Sequence, residues 1–438
     1  MGLLVGVGAT RPTYAYDYYY GIEWDTTVSN PLPTRVGKTD LHQSLPIQSL
    51  MRRCVLKDNG TVNYYLHAND STKRDNSANA NLTGTDGQVM VEIPDMYVRF
   101  EMDGNKRRCL MSAQPLPGFI KWSKDYVSAY EATVERAANK LASVANTTAA
   151  YRGGGNQSAW DGTYRDVQGR PATAISLTNF RLYARNRGSV QWNCNTYHMQ
   201  RKLFWLFAVE YSNFNSQAAF NAALTSEGYR QGGLSAGVTT LNGTKWNNFN
   251  GYYPFVPCGY TNSLGNKTGT VEFTMPDEYD TGVVFKVNVP SYRGVENPFG
   301  HVWKWTDGCK CLIQSDTDGG LSEFYVCDVP ENFTSSGVAN YELRGNLPRT
   351  EGYVKEVILG EHGEIMPLAV GAGSTTYFCD YFYTSKPASG VSERGVLFGG
   401  NAYYGTNAGF VFALTVNAAT TALAYFGSRL CFLPQIEA

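Results

Sequence analysis

The feature that most constrains this chain is an uncharged segment near its C-terminal end. Residues 397–428 read LFGGNAYYGTNAGFVFALTVNAATTALAYFGS and contain no Asp, Glu, Lys, Arg or His, although 17% of the chain is charged. A membrane helix would explain the missing charge, but three asparagines and five glycines interrupt the run. A bilayer requires roughly 20 consecutive apolar residues. We therefore exclude a transmembrane helix here and predict no membrane insertion.

Composition limits the classes of protein to which the chain can belong. It has 438 residues and a formal charge of -1, so no basic field is present to attract nucleic acid, which we exclude as a partner. Its 30 Tyr, 21 Phe and 45 Gly indicate a β-rich, loop-rich protein. The nine cysteines are an odd number without paired spacing, which predicts buried free thiols. The first residues make a poor signal peptide.

Sequence patterns divide the chain into three parts. Residues 1–20 are rich in Tyr and Gly and predict an N-terminal arm, 21–84 predict a small β-rich module, and 85–438 predict one large domain. The large domain opens with alternating apolar residues that turn at Asp103-Gly104, which predicts a hairpin. Helical periodicity over 124–144 and 198–224 predicts two helices. Two helices in a β-rich chain predict the α+β class.

Candidate chemical motifs are weak in this sequence. Cys309 and Cys311 have no second pair of ligands nearby, and Asp316 and Asp318 lack the remaining acids of a calcium loop. Residues 153–155 are glycines without the lysine of a phosphate loop, and the five histidines lie in no recognisable triad. We therefore expect no catalytic residues, no metal and no cofactor.

The stretch GVENPFGHVWKWTDG, residues 294–308, is the most specific in the chain. Trp303 and Trp305 are two residues apart, so in a strand they share one face. A pair of indoles at this spacing is typical of a large aromatic cluster in a core. We predict that both are buried.

Several motifs in a fixed order resemble a known family. VMVEIPDMYVRF, LFWLFAVEYSNFNSQ, NPFGHVWKWTDG, LFGGN and FGSRLCF together resemble the C-type-lectin-like fold of the formylglycine-generating-enzyme type. Within that group they most resemble the variable proteins of diversity-generating retroelements, many of which are phage receptor-binding proteins. The resemblance covers residues 85–438. It implies a C-type lectin-like domain of the α+β class, preceded by the small β-rich module.

The chain departs from the enzymes of that group. They carry a Trp-Glu-Trp motif and paired cysteines near the C-terminus, whereas this chain has Trp303-Lys304-Trp305 and only Cys431 after Cys379. The resemblance therefore implies the fold without the enzymatic activity.

The resemblance also implies a diversified segment, here about 397–431. In such proteins the adenines of a template are miscopied, so codons of the Asn type change in their first two bases and keep the same final base. Codons of this kind do not normally specify Lys, Glu, Gln, Met or Trp. All five residues are absent from 397–428. The alternative is a buried hairpin, which excludes charge because an unpaired buried ion is costly. Phe410, Phe412, Leu414 and Val416 alternate in support of that alternative, yet we expect this set to be exposed.

Two sets of site residues follow. The expected receptor-binding patch comprises Ala402, Tyr403, Tyr404, Thr406, Asn407, Ala408, Phe410, Phe412, Leu414, Val416, Asn417, Thr420, Ala422, Ala424 and Tyr425. The expected scaffold beneath it comprises Trp303, Trp305, Gly399, Gly400, Gly427 and Arg429.

The sequence thus favours a receptor-binding adhesin at a phage tail fibre or tail tip. Its expected partners are a bacterial surface protein or glycan and other virion tail proteins, and its expected state is a homotrimer, because several weak patches multiply affinity. The expected location is the virion. The alternatives are the bacterial cell surface and secretion from the cell. Two alternatives stay open: an enzyme, either a thiol oxidase or a glycan hydrolase, and a purely structural virion protein.

Overall fold

A computed structural model describes residues 16–163, 166–241, 254–275 and 285–434. Strands make up 37% of the structure and helices 13%, so the protein is mostly β-sheet. The predicted α+β class, and the C-type-lectin-like fold predicted with it, is therefore wrong. Most of the expected arm, residues 1–15, lies outside the described residues.

The described residues contain three α-helices. They are α1 (Thr39–Ser44), α2 (Leu177–Arg185) and α3 (Tyr197–Tyr211). Helix α3 begins where the Thr196 hydroxyl accepts a hydrogen bond from the backbone N–H of Met199, and it ends at Ser212, which has the left-handed φ of 50°. Almost all of its side chains are buried, so it forms the central helix of the core. This confirms the helix predicted from 198 onward as far as Tyr211.

The helix predicted over 124–144 is wrong. This stretch forms three strands, β10 (Asp125–Ser128), β11 (Thr133–Glu135) and β12 (Lys140–Ala142). Val127 pairs with Val91 on one side and with Cys431 on the other. The apolar residues that mimic helical spacing are buried by these long-range pairings, which outweigh a local periodicity.

The strands of the N-terminal half form two main sheets. Their bounds are β1 (Tyr20–Asp25), β2 (Thr34–Gly37), β3 (Arg52–Leu56), β4 (Val62–His67), β5 (Asp70–Arg74), β6 (Gln88–Ile93), β7 (Met96–Asp103), β8 (Lys106–Ser112) and β9 (Ile120–Trp122). One sheet has the order β2-β1-β8-β7-β9. In it β7 and β8 form the predicted hairpin, which turns at Gly104.

The second sheet joins distant parts of the chain. Two further strands belong to it, β14 (Trp192–Cys194) and β29 (Leu430–Phe432), and its order is β14-β29-β10-β6-β3-β4-β5. Strands from either side of residue 84 pair within it, as Cys54 does with Met90. The boundary between the small module and the large domain at residue 84 stays a prediction, but strands from both sides of that boundary belong to this sheet.

Short strands connect these sheets to the C-terminal half. They are β13 (Tyr151–Arg152), β15 (Phe220–Asn221), β16 (Gln231–Gly232), β17 (Gly269–Thr274), β18 (Lys286–Tyr292) and β19 (Val295–Glu296). They form small sheets of the orders β12-β11-β13, β15-β16 and β17-β18-β19.

The C-terminal half is one large curled sheet. Its strands are β20 (Trp303–Gln314), β21 (Ser322–Val326), β22 (Glu342–Asn346), β23 (Gly352–Leu359), β24 (Glu364–Val370), β25 (Tyr381–Thr384), β26 (Val391–Phe398), β27 (Ala413–Thr415) and β28 (Phe426–Gly427). The order is β22-β21-β20-β26-β27-β25-β23-β24, with β28 beside β20. Its end strands approach each other, since Arg344 Nε on β22 lies 3.8 Å from Glu364 Oε1 on β24. The sheet is therefore nearly closed, like a barrel.

One continuous apolar core runs through these sheets. It extends from Tyr20 to Phe432 and contains Trp205 of α3 and Trp303 and Trp305 of β20. No helix within the described ranges is long and apolar enough to cross a membrane.

Candidate functional site

The first part of β20 forms the buried floor of the candidate site, which lies around residues 399–412. Trp303 and Trp305 are both fully buried, as predicted. Lys304 between them points the other way, and its ammonium lies 3.2 Å from a carboxylate oxygen of Glu131. Burial lowers the pKa of Lys304 to about 8, and the Glu131 carboxylate partly offsets this. This residue, where the resembled enzymes have Glu, is part of a buried ion pair.

A closed loop lies above this floor. We call residues 399–412 the display loop. The Gly399 N–H donates to the Phe412 carbonyl at 2.9 Å, which joins the two ends of the loop. Gly400 has a φ of 79°, and a Cβ there would lie 2.8 Å from the Phe412 ring. Both the backbone angle and the close ring require glycine at this position.

Five tyrosines form a continuous aromatic surface beside the display loop. We call Tyr353, Tyr381, Tyr383, Tyr403 and Tyr404 the tyrosine surface. The ring centroids of successive members are 5.0, 4.8, 5.5 and 5.7 Å apart when taken in the order 353, 381, 383, 404, 403. Tyr403 is 56% exposed, and the other four are half-buried. Strands β23 and β25 supply the first three rings, and the display loop supplies the other two.

The tyrosine surface rests on the buried aromatic floor. The Phe412 ring lies 5.2 Å from that of Tyr404 and 5.7 Å from that of Tyr383. Trp303 in turn lies 4.5 Å from Phe412 and 5.2 Å from Tyr404. Aromatic pairs at these distances add stability beyond the area they bury. The surface is therefore held rigidly from below.

Hydrogen bonds join the tyrosine surface to polar residues of the display loop. The Tyr353 hydroxyl donates to Asn407 Oδ1 at 2.6 Å and lies 3.3 Å from the Thr406 hydroxyl. Thr406 is exposed and Asn407 is half-exposed. Hydroxyls, an amide and flat rings are thus presented together, and they can bind a partner through stacking and neutral hydrogen bonds.

Three hydroxyls of this surface, those of Tyr381, Tyr383 and Tyr404, are donors at neutral pH. Burial raises the pKa of Tyr381 and of Tyr383, and the neighbouring Glu351 carboxylate raises both further. Burial also raises the pKa of Tyr404 to about 12. No lysine or arginine is among the principal groups that act on these three hydroxyls. The charge that acts on Tyr381 and Tyr383 is therefore the negative one of Glu351.

The structure divides the predicted patch into inward and outward residues. Tyr403, Thr406, Thr420 and Ala422 are exposed. The residues of intermediate exposure are Tyr404, Asn407, Val416, Asn417, Ala424 and Tyr425. The buried ones are Ala402, Ala408, Phe410, Phe412 and Leu414. These five cannot contact a receptor in this conformation. Our expectation that the alternating set 410, 412 and 414 faces outward is wrong. The Phe412 ring packs on Trp303 at 4.5 Å, the Phe410 ring packs on Phe207 of α3 at 5.3 Å, and Leu414 belongs to the same buried core.

The outward residues fall into two groups. Tyr403, Tyr404, Thr406 and Asn407 belong to the display loop. Tyr425 is near them, because it is among the groups that raise the pKa of Tyr404, and its carbonyl accepts from the Trp303 N–H at 3.0 Å. The second group follows β27 and lies against other elements: the Gly395 N–H donates to the Asn417 carbonyl at 3.0 Å, and the Leu177 N–H donates to the Ala419 carbonyl at 3.0 Å. Thr420 lines a small cavity of about 90 Å³ with Lys310. The structure thus places Tyr403 and Tyr404 in the tyrosine surface and Thr406 and Asn407 beside its Tyr353, whereas the second group does not join it.

All six predicted scaffold residues are buried. Arg429 donates to the carbonyls of Ser128 at 3.1 Å and Asn297 at 2.6 Å, and it also contacts the Glu296 carbonyl. A Cβ on Gly427 would lie 3.0 Å from a methyl of Val302. Their burial fits a scaffold, but support of a receptor site by them stays a prediction.

Sequence reasoning missed Tyr353, Tyr381 and Tyr383. A signal was available in TTYFCDYFYTS, where Tyr381 and Tyr383 alternate around Phe382. Phe382 is fully buried, so the two tyrosines share the opposite, outer face of β25. The pairing that places this strand beside β27 and β23 could not be deduced from that pattern.

The weak chemical motifs are structural in the described residues. All nine cysteines are free and buried, as predicted, and burial raises the pKa of the Cys309 and Cys311 thiols. Asp316 pairs with Arg349 and Lys386, each at 2.7 Å. The described ranges contain no cluster of three or more His, Cys, Asp or Glu suited to a metal.

Comparisons with known proteins give remote likenesses. No family model and no curated protein sequence matches the chain. The structure of PvdO from Pseudomonas aeruginosa aligns with 81% of this chain and 100% of its own, at 9% identity and a TM-score of 0.30. The Major Tropism Determinant P3c variant aligns with 91% of this chain and 88% of its own, at 10% identity and a TM-score of 0.23. The Major Tropism Determinant U1 variant aligns with 77% of this chain and 72% of its own, at 11% identity and a TM-score of 0.21. Scores this low do not establish a shared fold or function.

Proposed function

We propose that this protein is a receptor-binding adhesin whose contact area is the tyrosine surface together with Thr406 and Asn407. The observation that carries the proposal is the meeting of the uncharged segment with tyrosines from β23 and β25 on one outer face. Tyrosine gives a large contact area with little rotamer entropy to lose, and it is enriched at binding interfaces. A rigid row of such rings is suited to recognition.

Exposure strengthens the proposal. Burial accounts for the missing charge at inward positions such as Phe412, but it cannot account for it at Tyr403, Thr406, Thr420 and Ala422, which are exposed. Diversification by a retroelement accounts for the absence of Lys and Glu at all of them. We propose that such outward positions are the diversified ones.

The groups around the tyrosine surface indicate the kind of contact that it can make. The charged group that acts on Tyr381 and Tyr383 is the carboxylate of Glu351, so we expect that attraction to an anionic cell surface does not drive binding. We propose that the receptor is a bacterial surface protein or glycan held by stacking and neutral hydrogen bonds. Raising the salt concentration from about 0.05 to about 0.5 M shortens the Debye length from about 14 to about 4 Å. The affinity for the receptor should change little over this range.

The wider biological assignment is part of the same proposal. We place the protein in a phage tail fibre or tail tip, as a homotrimer that contacts other virion tail proteins, because several copies of one neutral surface increase the effective affinity. We also propose that it is not an enzyme. The buried state of Cys309 and Cys311 supports this for thiol oxidation.

Binding to whole cells tests the proposal. The fluorescently labelled protein is screened by flow cytometry against a panel of bacterial isolates, and Tyr403→Ser is then compared with wild type on the isolates that bind. Tyr18→Ser is the matched control, because Tyr18 is 47% exposed and lies outside the tyrosine surface. Selective loss with Tyr403→Ser supports the proposal. Equal binding by all three proteins, or no isolate that binds wild type, would contradict it.

The genome gives an independent test of diversification. The flanking DNA should hold a reverse-transcriptase gene and a near-copy of codons 397–431 that differs only at adenines. A near-copy that differs mainly at the codons for buried residues, such as Phe410 and Phe412, would contradict the outward assignment.

A further inference from the structure

Two glutamine side chains from outside the uncharged segment hold the display loop by its backbone. Gln217 donates from Nε2 to the Gly405 carbonyl at 3.0 Å, and it also contacts the Ala408 carbonyl. Gln200, which lies on α3 and is 2% exposed, donates from Nε2 to the Phe410 carbonyl at 2.8 Å. None of these three contacts uses a side chain of the loop.

The direction of each glutamine amide is set by a neighbour. Asn195 donates to Gln200 Oε1 at 3.3 Å and to the Thr306 hydroxyl of β20 at 2.9 Å. At Gln217 the loop itself sets the direction, because the Gly405 and Ala408 carbonyls can only accept, so the amide nitrogen and not the amide oxygen faces them. At Gln200 the amide oxygen accepts from Asn195, so its amide nitrogen is turned toward the Phe410 carbonyl.

A buried carboxylate holds the end of the display loop. Asp380 is 2% exposed, and its Oδ2 accepts from the Val411 N–H at 2.8 Å. A Cβ on Gly409 would lie 2.0 Å from Asp380 Oδ1, so a residue with a side chain cannot occupy position 409 without displacing this carboxylate. Asp380 therefore fixes both a backbone N–H and the identity of residue 409.

The outward side chains of the display loop take no part in the hydrogen bonds that Gln200, Gln217 and Asp380 make to it. Tyr403 and Thr406 are exposed, and the bonds that Gln200, Gln217 and Asp380 make to the loop end on its backbone atoms. A loop that is held by its backbone keeps its course when exposed side chains change.

We infer that Gln200, Gln217 and Asp380 are positioning residues that hold the display loop in one backbone conformation, independent of its outward side chains. This rests on the proposed function for its purpose, which is to present different contact residues on one frame. The inward residues of the loop, such as Ala408 and Phe412, stay fixed as part of the core.

Amide hydrogen exchange on the full chain tests the inference without any receptor. Gln217→Glu keeps the size of the side chain but removes both donors at neutral pH, so a residue that acts only by packing would tolerate it. We expect the Ala408 and Phe412 amides, which donate to the Gly405 and Gly409 carbonyls, to exchange roughly tenfold faster, as loss of one hydrogen bond predicts. Gln231→Glu is the matched control, because Gln231 Nε2 donates to the Ala223 carbonyl at 3.2 Å, in another loop.

A second variant tests the independence from outward side chains. The double variant Tyr403→Ser with Thr406→Ala should leave exchange of residues 399–412 within about twofold of wild type, as substitutions at exposed sites usually do. Unchanged exchange in Gln217→Glu would overturn the inference, and so would accelerated exchange in the double variant. The proposed function fails separately, through cell binding, since exchange makes no use of a receptor.

Discussion

The inward and outward faces of the display loop both lack charge but lie in opposite environments. Ala408 and Phe412 are fully buried, whereas Tyr403 and Thr406, a few residues away, are exposed. Both faces lack charge, but burial explains this only for the inward face. The comparison shows that one uncharged run can combine a core requirement with a surface requirement, and that exposure separates the two.

The largest expected effect lies on the inward face. Phe412→Ala should lower the free energy of unfolding by about 3–5 kcal/mol, because it opens a cavity among Trp303, Tyr383 and Tyr404. Urea denaturation of the variant and wild type measures this. A loss below about 1 kcal/mol, typical of a surface site, would remove the distinction between the two faces.

The next effect concerns the contact between Gly409 and Asp380. Gly409→Ala should cost about 1–3 kcal/mol, because its Cβ would overlap the carboxylate. Asp380→Ala removes that overlap, so in a double-mutant cycle the second substitution should cost less in the presence of the first. Additive losses in urea unfolding would show that the two residues do not meet as described.

A pH effect should follow from Asp380. Burial raises the pKa of this carboxyl well above its usual 3.8, although the backbone N–H groups of Val411 and Phe412 oppose the shift. The folded state then binds the proton more tightly than the unfolded state, so the stability from this group is complete below about pH 3.8 and is lost as the pH rises through the folded pKa.

Asp380→Asn separates this group from the others that titrate. The stability of the variant relative to wild type should be greater at pH 8 than at pH 5, because only wild type must ionise a buried carboxyl. Urea unfolding at both pH values measures the difference. If the stability difference between Asp380→Asn and wild type were the same at both pH values, or larger at pH 5, the raised pKa of Asp380 would be contradicted.

Local patterns predicted the elements better than their arrangement. The burial of Trp303 and Trp305, the β7–β8 hairpin and most of α3 could be predicted, because each depends on spacing within one element. Residues 124–144 could not, because Val127 finds its partners at Val91 and Cys431. The α+β class failed for the same reason, since the curled sheet is built from pairings between distant strands.

The burial of the predicted patch could be foreseen only in part. Tyr403 and Thr406 are exposed, as a surface patch requires, but the alternation of Phe410, Phe412 and Leu414 does not say which face is covered. Tyr353 and Tyr381 join the site through the pairing of β23 with β25, with Tyr353 directly opposite Tyr381. A pairing between strands that lie well apart in sequence has no local signature.

The smallest expected effect on stability lies on the outward face. Tyr403→Ser should change the free energy of unfolding by about 0.5 kcal/mol or less, because Tyr403 is 56% exposed. Thermal melts of this variant and of Tyr18→Ser should both coincide with wild type. A large drop in melting temperature for Tyr403→Ser alone would place its ring among the supporting residues of the core.

The affinity of Tyr403→Ser for whole cells tests the central claim most directly. Truncating an aromatic anchor of an interface often costs about 2 kcal/mol, so on bacterial isolates that bind wild type the apparent affinity should fall roughly thirtyfold while the melting temperature is unchanged. Tyr18→Ser should bind as wild type does. Unaltered affinity of Tyr403→Ser on those isolates would contradict the tyrosine surface as the receptor-binding site.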